Sequence, residues 1–303
     1  MKPILPDIKN YYDVNKLIQP GPNAHIGLSV PQVIREYGSI KGKMKDLPYV
    51  LPYMIRCIRE SKNSYKYINY QPNQSKQISD QALKEFEQLC SDMGITEIGY
   101  TKVDPDFIFK DKGILFENAI VLIMEMNKDK IDTAPSSIAV SEIFRTYMTL
   151  GVIVNKMTTF LKTQGLNAQA GPAIGGDVNY PMLAQKAGLG HTGKHGLLIS
   201  PKSGPSLRIA SIYTDIENLP FTSGDHEWIE SFCKTCGKCV KACPADAIYD
   251  QPVILDDGSK ECVDFKKCAV PFSNNHGCTL CVKKCTFFKG KYETIKKGAV
   301  ESK

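Results

Sequence analysis

The chain has 303 residues, 11 cysteines, 42% hydrophobic residues and a formal net charge of +6. That length allows one large domain or a medium domain with a small one, and the apolar content is that of an ordinary globular fold. No apolar run reaches membrane-spanning length, and the opening Met1-Lys2-Pro3-Ile4-Leu5-Pro6 carries neither a signal-peptide core nor twin arginines. A cytoplasmic chain without a membrane partner is therefore expected, where cysteines read as metal ligands before disulfides.

Residues 1–75 are proline-rich and read as an irregular extension with one helix near 49–61, while the polar stretch 63–75 reads as a linker or exposed loop. A folded domain over 76–222 follows. Ser79-Asp80-Gln81-Ala82 predicts a helix start, Leu83, Phe86, Leu89 and Cys90 recur at helical spacing, and Gly94 stops the helix. Strands are expected at 95–101 and 119–124. A long helix over 141–163 carries Phe144, Tyr147, Met148, Met157, Phe160 and Leu161, compatible with one buried face, and ends at Gly165. Further strands at 167–170, 196–200 and 207–214 enclose a short helix at 181–187. Strands alternating with helices predict an α/β (α+β) layer fold. A cysteine-rich module occupies 223–290, and 291–303 reads as a tail. Cys57 and Cys90 lie outside that module and read as buried thiols.

Two stretches are rich in glycine: Gly171-Pro172-Ala173-Ile174-Gly175-Gly176, and Gly188-Leu189-Gly190-His191-Thr192-Gly193-Lys194-His195-Gly196. Glycines let a backbone approach a ligand closely, or simply make tight turns, and both readings stand here. Neither stretch is a P-loop. The second places its last glycine one position early for a dinucleotide fingerprint and ends a helix instead of opening one, which argues against a nicotinamide site.

The chemistry concentrates between Cys233 and Cys285. Cys233, Cys236, Cys239 and Cys243, followed by Pro244, have the spacing C-x2-C-x2-C-x3-C-P. Three thiolates on a tight turn reach three corners of a [4Fe-4S] cube, and the fourth is passed to a second cube. The second half is Cys278, Cys281 and Cys285, with Thr286 where the first half has its proline. One cube is assigned to Cys233, Cys236, Cys239 and Cys285. The other takes Cys243, Cys278, Cys281 and either Cys262 or Cys268; the run Asp264–Cys268 resembles the step before the second half of two-cluster ferredoxin domains, which favours Cys268. A zinc ribbon and structural disulfides are the weaker alternatives. Lys234, Lys238, Lys241, Lys266, Lys267, Lys283 and Lys284 surround these cysteines and offset the charge of thiolate-ligated cubes. No recognition motif accompanies them, so nucleic acid is not an expected partner.

A family resemblance covers most of the chain, from about Ser79 to Phe288. The segment from Glu125-Met126-Asn127-Lys128 to Ala134-Pro135-Ser136 resembles the one before the catalytic helix of cobalamin-dependent reductive dehalogenases. Ala187-Gly188-Leu189-Gly190, the run Gly204-Pro205-Ser206-Leu207-Arg208 and Tyr213-Thr214-Asp215 are similar to their cofactor-side loops and strand. The likeness is shared in part with epoxyqueuosine reductases. It implies a nitroreductase-like, corrinoid-binding domain packed on a bacterial-type two-[4Fe-4S] ferredoxin domain. Electrons would come from a reduced ferredoxin or flavodoxin, cross both cubes to cobalt and reach a small organic substrate.

The resemblance also implies Tyr147 as proton donor and Arg208 as its basic partner, since a guanidinium stabilises the phenolate left behind. It implies corrinoid contacts from Gly188, Gly190 and Gly193, and from Asp177 and Asn179 in a stretch where dehalogenases show an asparagine–aspartate pair. His191 and His195 depart from the pattern and read as corrinoid- or substrate-facing residues or as turn residues. Thr146 stands where epoxyqueuosine reductases carry an aspartate, which argues against tRNA as substrate. An electron-transfer protein without the corrinoid and an epoxyqueuosine-reductase-like tRNA-modifying enzyme are the two rival readings.

Overall fold

The computed structural model describes residues 5, 7–27, 29–66, 68, 71, 74–254 and 260–301. Of the opening six residues, on which the reading of no leader rests, only Leu5 lies within them.

Helices α1 (Val30–Tyr37) and α2 (Ile40–Lys66) come first. Helix α3 (Asp80–Asp92) starts where Ser79 Oγ accepts the Ala82 N–H at 3.2 Å, the side-chain cap that an orphan helix donor needs. Strands β1 (Glu97–Lys102) and β2 (Asn118–Glu125) follow, then the short α4 (Lys128–Asp132) and the long α5 (Ser137–Thr163). Ser136 caps α5 through the Ala139 N–H, and Gly165, at φ +73°, turns the chain out of it. Next come β3 (Ala168–Ala170), α6 (Tyr180–Lys186), the two-residue strands β4 (His191–Thr192) and β5 (Leu198–Ile199), and β6 (Leu207–Thr214). The last part holds α7 (Trp228–Cys236), α8 (Lys238–Lys241), a hairpin of β7 (Ile248–Ile254) and β8 (Lys260–Val263), and helices α9 (Phe265–Asn274), α10 (Leu280–Lys284), α11 (Thr286–Lys289) and α12 (Tyr292–Glu301).

The central sheet has the order β1-β2-β6-β3 and is antiparallel throughout. Strand β2 reads as an unbroken apolar run because both of its faces are covered. Ile120, Leu122 and Met124 face α3 and α5, while Ala119, Val121 and Ile123 face α6 and the 103–116 segment. Each fully buried side chain of this kind contributes about 1.5–3 kcal/mol. Helix α5 is the one described helix long and apolar enough to cross a membrane, with a mean hydropathy of 1.3. Its place between α2 and the sheet accounts for that apolar character.

Residues 1–75, expected to be irregular apart from a helix near 49–61, carry α1 and a longer α2 that includes that stretch, and α2 lies along α5. The stretch 63–75 is in part the end of α2; Tyr65 is 1% exposed and Ser75 forms a bridge with Leu166. Residues 67, 69, 70, 72 and 73 of that stretch lie outside the described ones. The polar pattern misleads because α2 buries hydrogen-bonded groups as well as apolar ones. Ser61 Oγ donates to Ile174 O at 3.1 Å, and Asn155 Nδ2 donates to Glu60 O at 2.9 Å. Pro48 and Pro52 sit inside the helix. The segment read as a tail is α12, whose Tyr292 packs 5.2 Å from Trp228.

Candidate functional site

A cleft of about 630 Å3 opens between the sheet, α1, α5, α6, Leu5 and Asp7. That volume falls in the range of small-molecule and cofactor sites. Its apolar wall is Ala173, Ile174, Leu197, Leu198, Leu207 and Ile209; its polar groups include Lys112, Tyr147, Tyr180 and Arg208. Tyr147 comes from α5 and is half-buried, with Phe144 edge-on to it at 6.3 Å. Arg208 comes from β6, where it pairs with Met124 across the strands. Its guanidinium lies 4.5 Å from the centre of the Tyr147 ring. The contact is therefore a cation over a ring face, not a hydrogen bond to the hydroxyl, because the arginine rises from the sheet under the helix. Such a pair contributes about 0.5–2 kcal/mol, and it keeps a positive charge within a few ångströms of the phenol. Arg208 Nε is buried without a partner.

Asn179 lines this cleft and also caps α6, its side-chain oxygen accepting the Met182 N–H at 3.4 Å. Asp177 lies beneath it, fully buried, and accepts a 2.6 Å hydrogen bond from the Tyr65 hydroxyl. Burial pushes the Asp177 carboxyl up to about 7, while the Tyr65 bond and the charge of Lys112 pull it back. Tyr65, Tyr180 and Lys112 carried no signal in the sequence. Lys112 belongs to a loop, held by Asp7 at 2.8 Å, and reaches the cleft only through the fold. Thr146 is fully buried, its hydroxyl donating to the α5 backbone at Glu142 and Ile143.

The cysteines fall into two neighbourhoods. Cys233, Cys236, Cys239 and Cys285 line one small pocket of about 10 Å3, together with Lys194 and His195. Cys243 and Cys278 both bear on Cys268, and Cys268 and Cys278 bear on Cys281. Cys239 also bears on Cys281, so the two neighbourhoods adjoin. Cys262 lies near Lys260, Glu230 and Glu261 and shows no such link to another cysteine. Burial, then neighbouring cysteines, pushes Cys281 up to about 12, and burial lifts Cys285 as far. Among the described residues no three His, Cys, Asp or Glu side chains are close enough to hold a single ion.

The backbone around them is strained. His276, Gly277, Cys278 and Thr279 all have positive φ, from +49° to +69°, and three of the four are not glycine. Such a run costs about 1–2 kcal/mol for each of those three and belongs to the strain that proteins store at functional sites. Gly237, at φ +59° between Cys236 and Cys239, faces open space within 4 Å of where a Cβ would stand. Thr286 places its hydroxyl 3.2 Å from Cys236 Sγ.

The second glycine-rich stretch does not line the cleft. A Cβ on Gly188 would stand 2.3 Å from the Ser223 carbonyl carbon, and one on Gly190 would stand 2.1 Å from Ile199 O. These glycines let backbones pack on one another, so the tight-turn reading describes them. Gly188 O also bonds His226 at 3.0 Å, which ties the sheet domain to the start of the cysteine module. His191 turns its Nδ1 to Thr192 O at 2.9 Å. Gly193 leaves room for the His195 ring, and burial pushes the His195 imidazole down to about 4.

Residues 226–249 match the 4Fe-4S binding domain family. A tetrachloroethene reductive dehalogenase of Desulfitobacterium hafniense is 32% identical over 220 residues, which is 68% of this chain and 39% of that protein. An epoxyqueuosine reductase of Cyclobacterium marinum is 35% identical over 120 residues, or 38% of this chain and 36% of that protein. Among solved structures, a reductive dehalogenase whose dehalogenation is described as B12-dependent superposes with a TM-score of 0.72 at 18% identity. It covers 87% of this chain and 41% of its own. The chain thus spans well under half the length of the curated relatives it matches.

Proposed function

The chain belongs to the superfamily that unites reductive dehalogenases with epoxyqueuosine reductases, and on that premise we propose an iron–sulfur, corrinoid-dependent reductase of a small organic substrate. The observation that carries this reading is the cleft itself: Tyr147 and Arg208 face one another in it, beside two neighbourhoods of cysteines. Cys233, Cys236, Cys239 and Cys285 would hold one [4Fe-4S] cluster, and Cys243, Cys268, Cys278 and Cys281 the second. Cys281, Cys285, Tyr147 and Leu197 all pack against one buried apolar cluster, which lies between the thiols and the cleft wall. Electrons from a reduced ferredoxin or flavodoxin would cross it.

The groups present fit a corrinoid. The cleft is broad and mostly apolar, and the buried, unpartnered Arg208 Nε–H can donate to an amide on such a ligand's rim. When bound, a corrinoid supplies the low-potential metal centre of the reaction. Tyr147 gives a proton from its hydroxyl to the substrate, and Arg208, its guanidinium 4.5 Å from the ring centre, holds the ring in place. Lys112 and Tyr180 line the cleft and are placed to orient polar groups. Leu197, Leu198 and Ile174 exclude water there.

The test is anaerobic reconstitution of the full chain with iron, sulfide and cobalamin, followed by gel filtration and metal analysis. Co-elution of about eight irons, as two cubes require, with stoichiometric cobalt is expected. The loaded protein is then assayed against chlorinated alkenes and against an epoxyqueuosine-bearing tRNA stem loop. Iron without cobalt would overturn the corrinoid and favour an electron-transfer role. Turnover of the stem loop alone would overturn the small-molecule substrate.

A further inference from the structure

His195 is the one predicted corrinoid-side histidine that the fold sends to the cysteines. It lines the pocket shared by Cys233, Cys236, Cys239 and Cys285 and is 5% exposed. Its Nδ1 accepts the Leu197 N–H at 3.2 Å, so the proton of the neutral ring sits on Nε2. Nε2 is buried with no hydrogen-bond partner. A Cβ on residue 193 would stand 3.1 Å from the ring Cε1 and 3.3 Å from Nε2, so Gly193 is what lets this edge of the ring settle. The neighbouring Lys194 is already a donor to the same pocket: its backbone N–H bonds Cys233, and its ammonium is held by Asp250 at 2.8 Å. Two residues on, Leu197 and Leu198 form part of the cleft wall. The turn therefore touches the first cysteine quartet on one side and the cleft on the other.

We propose that His195 Nε2–H donates a hydrogen bond to a sulfur of the cluster held by Cys233, Cys236, Cys239 and Cys285, and so raises that cluster's reduction potential. This rests on reading the quartet as a [4Fe-4S] site. Reduction adds negative charge that spreads onto the sulfurs, and a fixed N–H donor stabilises the reduced form more than the oxidised one. The donor needs no reorganisation, because Leu197 and Gly193 hold the ring in place before the electron arrives.

The experiment is an EPR-monitored redox titration of the reconstituted full chain, after iron content has been measured. His195→Phe keeps a ring but removes the donor. It should lower the reduction equilibrium constant of one cluster by about tenfold, 59 mV for one electron, and leave the other cluster where it was. His195→Gln, which restores an N–H, should recover part of that shift. Unchanged potentials, or an equal shift of both clusters, would overturn the proposal. If His195→Phe loses iron, pulsed EPR of the reduced native chain labelled with 15N-histidine decides: a nitrogen coupling is expected, and its absence overturns the bond. A chain that takes up no iron at all fails the reading of the cysteines. A fully loaded chain with unshifted potentials fails this inference alone.

Discussion

The cysteine module and the cleft reach their geometry by different routes. In the module, most of the first quartet comes from seven consecutive residues, Cys233 to Cys239, across the end of α7 and the start of α8, with Cys285 added from further on. In the cleft, Tyr147 and Arg208 are separated by the whole of β3, α6, β4 and β5, and meet only because α5 lies across β6. A site built from local spacing tolerates changes elsewhere but not in its own ligands. A site built by packing depends on both surfaces that bring it together.

The sharpest break in that comparison is Cys239→Ala, which should remove about half of the bound iron and abolish turnover, read by iron analysis and visible absorbance. A variant that keeps its full iron would refute the quartet. Tyr147→Phe should leave iron and cobalt content intact and cut turnover of the identified substrate by roughly a hundredfold, the usual worth of a positioned acid. A wild-type rate would move the proton source to another cleft group. Arg208→Lys should cost about tenfold, because a point charge does not reproduce a planar guanidinium stacked on a ring; steady-state kinetics at fixed metal content measures it.

Asp177→Asn probes the buried ground beneath the cleft. The folded carboxyl holds its proton up to about 7, whereas an unfolded aspartate releases it near 4. The group's contribution to stability is thus fully present below about pH 4 and is lost as pH rises through about 7. The asparagine variant should flatten the fall in denaturation midpoint across that window, and an unchanged slope would show that the carboxyl ionises freely. Cys262→Ala should do least, with iron content equal to the parent, since no cysteine bears on it. Loss of iron there would exchange its role with that of Cys268.

Much of the central domain was legible from local pattern. The cap at Ser79, the stop at Gly165, the helix α5 and the strands β2 and β6 follow from side chains within a few residues of one another. The N-terminal part was not. Helix α2 buries Ser61, Ser64 and Glu60 through bonds to Ile174, Asn155 and its own backbone, and hydropathy counts such groups as exposed. The same limit applies to the glycines. Their spacing marks close approach, but whether the partner is a ligand or another backbone depends on which chain segment arrives there; at Gly188 it is Ser223.

By itself the sequence determined the spacing of the thiols, because seven consecutive residues can place them in only a few ways. It also determined the alternation that sorts β2 onto two covered faces. Only the tertiary structure brings Cys268 beside Cys243 and Cys278, lays Arg208 over the Tyr147 ring, and sends His195 to the pocket of Cys233, Cys236, Cys239 and Cys285. The physical reason is range: bond geometry and helical or strand period act over a few residues, while these contacts depend on the packing of α5 on β6 and of the Gly193–His195 turn on α7.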